Sequence, residues 1–143
     1  MKELYTDITI LAPPAKVWEV LTDFDSYPDW NPFIRSIRGT AAVGERIEVT
    51  LALPDAKPIN LKPRVLKFSE SEEFRWAGKL GISGIFDGEH IFELKENPDG
   101  NTTFVQREKF RGILVPFLKR MLDNGTRQGF IDMNTKLKEL CEN

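Results

Sequence analysis

The stretch ILVPFLKRMLDNGTRQGFIDMNTKLKELC, Ile113–Cys141, decides how the rest of the chain is read. Leu118, Leu122, Phe130, Met133, Leu137 and Leu140 recur at the spacing of one side of a helix, which predicts a long amphipathic helix over 113–141. In the middle of that apolar side stand Gly125, Thr126 and Gly129, where a packed helix carries larger residues. A glycine costs about 1 kcal/mol of helix stability relative to alanine, so each needs a physical reason. One reason is a kink or a close approach to a neighbouring backbone. The other is room, because small side chains opposite a curved sheet leave a hollow.

A chain of 143 residues is long enough for one domain, 1–143, with a core of its own. Its 20 basic and 22 acidic residues are interspersed, with no basic stripe of the kind that follows phosphates, which argues against nucleic acid as a partner. The opening MKELYTD lacks the apolar centre of a signal peptide and no later run approaches a membrane span, so a cytoplasmic location is expected. The single cysteine, Cys141, can form neither an internal disulfide nor a thiolate metal site, and the single histidine, His90, falls short of a zinc ligand set. There is no nucleophile elbow, phosphate loop or dinucleotide fingerprint either, so neither a metal nor a cofactor is expected. Oligomeric state leaves no signature in the sequence.

Working back from the helix, Phe33 to Arg111 holds only strand-like runs broken by turn residues: 33–40, 45–53, 59–69, 73–80, 85–96 and 102–111. Asn97–Asn101, with Pro98, Asp99 and Gly100, makes the plainest turn. At the start, ELYTDITIL (3–11) alternates like a strand with one wet face, and AKVWEVLT (15–22) reads as a short helix behind Pro13-Pro14. The segment DFDSYPDWNP (23–32) suits a second short helix or turn, with Tyr27 and Trp30 as lid candidates. The expected fold is α+β: a curved antiparallel sheet of about seven strands wrapped around a long C-terminal helix, with two short helices after strand 1.

The spacing of Val17, Trp18, Leu21, Thr22, Asp23, Tyr27, Trp30, Asn31 and Pro32, together with GEHIFEL (88–94) and the run Glu108–Pro116, resembles the helix-grip superfamily. That superfamily is also called START-like or SRPBCC, and it includes polyketide cyclase/dehydrase and lipid-transport proteins. The resemblance spans essentially the whole chain. It implies a hydrophobic cavity between sheet and helix for a lipid, polyketide or similar small apolar molecule, without implying catalysis, since a fold hosts many functions.

Strand parity locates the wall of such a cavity independently of the resemblance. Charged residues outward leave Phe74, Trp76, Gly78 and Leu80, then Phe86, Gly88, His90, Phe92 and Leu94, then Phe104, Gln106, Glu108 and Phe110 facing the helix, with Ile47, Val49, Leu51 and Leu53 on an earlier strand. Gly78 and Gly88 are positioned to oppose Gly125 and Gly129 across a hollow, unless Trp76, Phe86 and Phe110 fill it. The expected ligand-binding set is Trp30, Val49, Leu51, Trp76, Gly78, Phe86, Gly88, His90, Gln106, Glu108, Phe110, Leu118, Leu122, Gly125 and Gly129. His90, Gln106 and Glu108 form its one polar patch. Burying a carboxylate and an imidazole is costly unless they pair, so Glu108 is expected to meet His90 or a ligand group.

Alternation of hairpin turns gathers 27–32, 54–58, 79–84 and 111–116 at one end, where Trp30, Pro54, Leu80, Ile82, Ile113 and Leu114 would rim a mouth. The leading expectation is a protein that binds a small hydrophobic ligand oriented by His90, Gln106 and Glu108. The alternatives are a cyclase/dehydrase-type enzyme moving protons through His90 and Glu108, and an interaction module that docks a partner on the rim.

Overall fold

The structure is a computed structural model that describes residues 1–53, 56–79 and 81–143. Strand β1 (Lys2–Ile10) is followed by α1 (Pro14–Thr22), a 3-10 turn at Phe24–Ser26 and the short helix α2 (Tyr27–Trp30). Proline at the first turn of α1 removes an N–H that would have had no intrahelical partner. Asn31 ends α2, and its side-chain oxygen accepts from the backbone N–H of Phe33 at 3.0 Å and of Ile34 at 2.8 Å, which starts the next strand and aims Phe33 inward.

Among the described residues there are eight strands in two antiparallel sheets, rather than about seven in one. The first sheet runs β1-β8-β7-β6-β5, with β5 (Arg64–Ser69), β6 (Glu73–Lys79), β7 (Asp87–Glu96) and β8 (Thr102–Arg111). The second runs β2-β3-β4, with β2 (Ile34–Arg38), β3 (Glu48–Leu51) and β4 (Ile59–Leu61). The run read as a single strand over 59–69 divides between β4 and β5 at Lys62-Pro63, because proline has no N–H for a ladder. An Arg46↔Arg64 bridge and the bond from Ile47 N–H to the Pro63 carbonyl (3.0 Å) join the two sheets at the division.

The C-terminal helix is shorter and less regular than its sequence pattern predicts. Residues 113–118 hold a 3-10 turn at Val115–Phe117; α3 (Lys119–Met121) then leads through a π turn at Leu122–Thr126 into α4 (Arg127–Glu142). Gly125 lies in the π turn, so its lack of a side chain accompanies a break in helix geometry. Along α4 the buried positions are Gly129, Phe130, Met133, Asn134, Leu137 and Cys141. The last step is four residues, which turns Cys141 inward and leaves Leu140, expected on the apolar side, 39% exposed. Burying Phe130, Met133 and Leu137 completely contributes roughly 1.5–3 kcal/mol each.

Helix α4 lies across β1, an edge strand whose free carbonyls it helps to satisfy: Arg127 donates to Tyr5 O at 3.1 Å and Lys138 to Thr9 O at 2.9 Å. On the outer face, Arg107 Nε donates to Glu93 Oε1 at 2.7 Å. Burial alone would raise the Glu93 carboxyl, but the Arg107 guanidinium overrides it and holds the group below its ordinary range. A carboxyl depressed in the folded state stabilises above its unfolded pKa and ceases to do so as pH falls through the folded value. Wild type is therefore expected to exceed Glu93→Gln in urea midpoint at pH 7, and the gap is expected to narrow as pH falls through the folded value of the carboxyl. A gap that persists in acid would contradict the assignment.

Candidate functional site

Between the two sheets and the start of the C-terminal helical segment lies an apolar cavity of about 280 Å³. Nine of its lining residues belong to the expected ligand-binding set: Leu51, Trp76, Gly78, Phe86, Gly88, Glu108 and Phe110 from strand parity, and Leu118 and Leu122 from helical spacing. Phe33, Leu53, Ile59, Leu61, Lys79, Met121 and Thr126 complete it. Of these, Leu53 was already placed on the inner wall by parity, and Ile59 and Leu61 carried a readable signal, the alternation of Ile59-Asn60-Leu61. Phe33 carried none, because its direction is set by the Asn31 side chain rather than by strand parity.

Six expected residues do not line the cavity. Val49 is buried in the core between the sheets. Trp30 packs edge-on against Tyr27, ring centres 5.2 Å apart, and is no lid over this space. Gly125 sits in the π turn outside the lining. Gly129 is occupied from the other side: a Cβ built there would stand 2.5 Å from Phe33 Cδ1, so the glycine admits the Phe33 ring instead of leaving a hollow. The helical glycines thus follow the kink and close-packing alternative, and the cavity opens one to two turns nearer the chain's 118–122 region. Gly78 and Gly88, which form a cross-strand pair, do line it.

His90 and Gln106 are the remaining two, and they lie within the wall. His90 is 2% exposed and Gln106 fully buried. The imidazole stacks on Trp76 (centroids 4.8 Å, planes 16° apart), meets Phe130 edge-on and lies tilted against Phe92. Its Nε2 is 3.0 Å from Gln106 Oε1 and its Nδ1 is 3.1 Å from Glu108 Oε1. Gln106 Nε2 donates to Asn134 Oδ1 at 2.7 Å, Asn134 Nδ2 donates to Thr6 Oγ1 at 2.9 Å, and the Thr6 hydroxyl donates to the Gln106 backbone carbonyl at 2.7 Å. Asn134 and Thr6 were not singled out in the sequence; an asparagine one residue after Met133 on a buried helix face was the available signal.

This chain of bonds has one consistent direction. A carbonyl only accepts, so Thr6 donates to it and must accept from Asn134; Asn134 then presents its oxygen to Gln106, and Gln106 its oxygen to His90. His90 Nε2 therefore carries a hydrogen. Its Nδ1 faces a carboxyl oxygen, and two acceptors do not bond, so a further proton lies between Nδ1 and Glu108 Oε1 on one atom or the other. The polar chain is satisfied internally at every link but one. Glu108 Oε2 hangs over Gly88, where any Cβ would collide with it, and Glu108 is the member that borders the cavity. Chemically, that oxygen can accept from a hydroxyl, or donate to a carbonyl when the proton resides on Glu108.

Where a mouth was expected, Ile113 N–H donates to Gly84 O and Leu114 N–H to Ile85 O, each at 3.1 Å, which binds 82–86 to 112–118. Ile82 (77% exposed), Ile113 (67%), Leu114 and Phe117 (82%) stand out on these loops. Phe117 was absent from the expected rim; Pro54 and Leu80, which were in it, lie outside the described residues. Cys141 is buried away from the cavity, and burial pushes its thiol up to about 11. Among the described residues, no group of three or more His, Cys, Asp or Glu is arranged to hold a metal ion, and no helix is long and apolar enough to cross a membrane.

A family profile described as polyketide cyclase / dehydrase and lipid transport matches residues 1–142. Among solved structures, the Zhui aromatase/cyclase from Streptomyces superposes with a TM-score of 0.77 at 14% identity, over 99% of this chain and 93% of that one. A protein from Mesorhizobium loti gives 0.76 at 20% identity over 97% and 96%, and Ara h 8.0201 gives 0.71 at 17% over 98% and 97%. At these identities the likeness is one of fold. No curated protein matches the chain.

Proposed function

The chain belongs to the polyketide cyclase / dehydrase and lipid transport family, and from that premise we propose that it binds a small hydrophobic molecule in the cavity between its sheets and C-terminal helical segment. The observation that supports this most is the lining: apolar walls from both sheets and the helix around a single carboxyl, Glu108, whose free oxygen faces inward. The volume of about 280 Å³ is just below the usual range for ligand pockets, which suits a short chain or a one- to two-ring skeleton. Glu108 orients the molecule through a hydroxyl or carbonyl, and His90 and Gln106 act from behind by setting the Glu108 oxygen and its proton.

A neutral apolar fluorophore tests the cavity directly. Leu51→Trp, at a half-buried lining position, is expected to abolish probe uptake while leaving the far-UV spectrum intact. Undiminished uptake would move the binding site elsewhere. Glu108→Gln is expected to weaken a hydroxyl- or carbonyl-bearing ligand about five- to tenfold, the usual worth of one hydrogen bond.

A second reading rests on the 3.1 Å contact between His90 Nδ1 and Glu108 Oε1. A carboxyl backed by a buried imidazole is equipped for proton transfer to a bound carbonyl compound, as in a cyclisation or dehydration. The two readings separate on the same variant: loss of turnover with affinity spared marks chemistry, and weakened affinity alone marks orientation.

A further inference from the structure

A second cavity, of about 490 Å³, lies on the outer face of the first sheet, across the ends of β5 to β8. Arg46, Lys62, Arg64, Lys79, Lys109 and Arg111 border it, with two carboxylates, Asp87 and Glu89. Glu89 is already held by Arg75 at 3.1 Å, and one Asp87 oxygen accepts from the Gly84 N–H at 3.0 Å. None of the six cations forms a salt bridge among the described residues. Arg46 donates to Lys62 O at 2.8 Å and Arg64 to Gly44 O at 2.7 Å, contacts with neutral oxygens that position the guanidinium groups without neutralising them. In a chain of net charge −2, this concentration of like charge carries a repulsion that a bound anion would relieve.

The basic cleft and the apolar cavity are neighbours. Gly78, Lys79 and Gly88 border both. Gly78 and Gly88 are cross-strand partners, so the sheet between the two spaces has no side chain at either position. Pairing of β5 with β6 stops at Arg64↔Ala77, which leaves Gly78 and Lys79 with a partner on β7 alone. The two spaces differ in charge: the inner one holds only the His90–Glu108 pair, which with its one proton carries no net charge to hold an anion, and the outer one holds six cations.

We propose that the molecule held by this protein is an anionic amphiphile, with its hydrocarbon or ring portion in the apolar cavity and a terminal carboxylate or phosphate passing Lys79 into the cleft of Arg46, Lys62 and Arg64. This rests on the hydrophobic-ligand reading above and narrows it to one substrate class. It also divides the polar work: Glu108 meets a neutral hydroxyl or carbonyl deep in the cavity, and the cleft takes the charged end.

The test compares decanol, decanoate and decyl phosphate by calorimetric titration at low ionic strength. At least one of the two anions is expected to bind roughly tenfold or more tightly than decanol, and which of them does so identifies the head. The advantage is expected to shrink in 0.5 M salt, about the regime where exposed charges are screened. The double variant Lys62→Gln/Arg64→Gln, whose positions border the cleft but not the apolar cavity, is expected to bring the anion down to the affinity of decanol while decanol binding stays as in wild type. Equal affinity for decanol and both anions, or an anion preference that survives the double variant, overturns the proposal and leaves the cavity reading standing. Failure of all three to bind overturns both.

Discussion

Replacing Gln106 by leucine, a change that only adds apolar surface to a core, is expected to destabilise the protein by about 3–5 kcal/mol. Gln106 is fully buried and joins two groups that have no other partner for the atoms concerned: His90 Nε2–H at 3.0 Å and Asn134 Oδ1 at 2.7 Å. Leucine satisfies neither. Each orphaned polar group costs about 1–3 kcal/mol, and the His90 ring cannot turn to find water because Trp76 and Phe33 lie against its faces. Urea unfolding checks the size of the effect as a shift in midpoint at constant slope. Pairing the change with Asn134→Leu removes one of the two orphans, so the double variant should be less destabilised than the sum of the singles by about 1 kcal/mol or more. Strict additivity, or a single-variant cost under about 1 kcal/mol, would mean that the chain of bonds from Thr6 to Glu108 does not act as a unit.

Gly112→Ala is the other change with a large expected effect, about 3 kcal/mol or more. Gly112 has φ +127°, a backbone region that side-chain-bearing residues rarely enter, and a Cβ there would overlap the Ile85 carbonyl. The obstacle is backbone, so no rotamer change relieves it; the segments 82–86 and 112–118 must move apart, breaking the bonds from Ile113 to Gly84 and from Leu114 to Ile85. Phe86 and Leu118, which line the apolar cavity, lie on these two segments, so probe uptake should fall together with stability. Gly100→Ala is the matched control: its φ is +87° with nothing within 4 Å of an added Cβ, and it should cost only the roughly 1–2 kcal/mol of the left-handed backbone itself. Equal losses for the two variants would mean that the contact with Ile85 carries no weight.

Alternation and helical spacing, local properties written in side-chain order, determined the α+β class, the two short helices after β1, the inner faces of β6, β7 and β8, and the meeting of His90, Gln106 and Glu108 on adjacent strands. They did so because pleat and helix periods commit a residue to a face whatever lies opposite it. Tertiary structure alone decided what lies opposite. Whether Gly129 leaves a hollow depended on where the Phe33 ring goes, and Asn31 sends it onto Gly129. Whether 59–69 forms one strand or two depended on how Pro63 is seated between the sheets, and whether Leu140 or Cys141 turns inward depended on how α4 lies over β1. The basic cleft was equally hidden: Arg46, Lys62, Lys79 and Arg111 read as scattered surface charges in sequence and become one site only when the strand ends converge. A period assigns each side chain to a face; the void, the collision and the charge cluster belong to pairs of faces, and those pairs exist only in the folded chain.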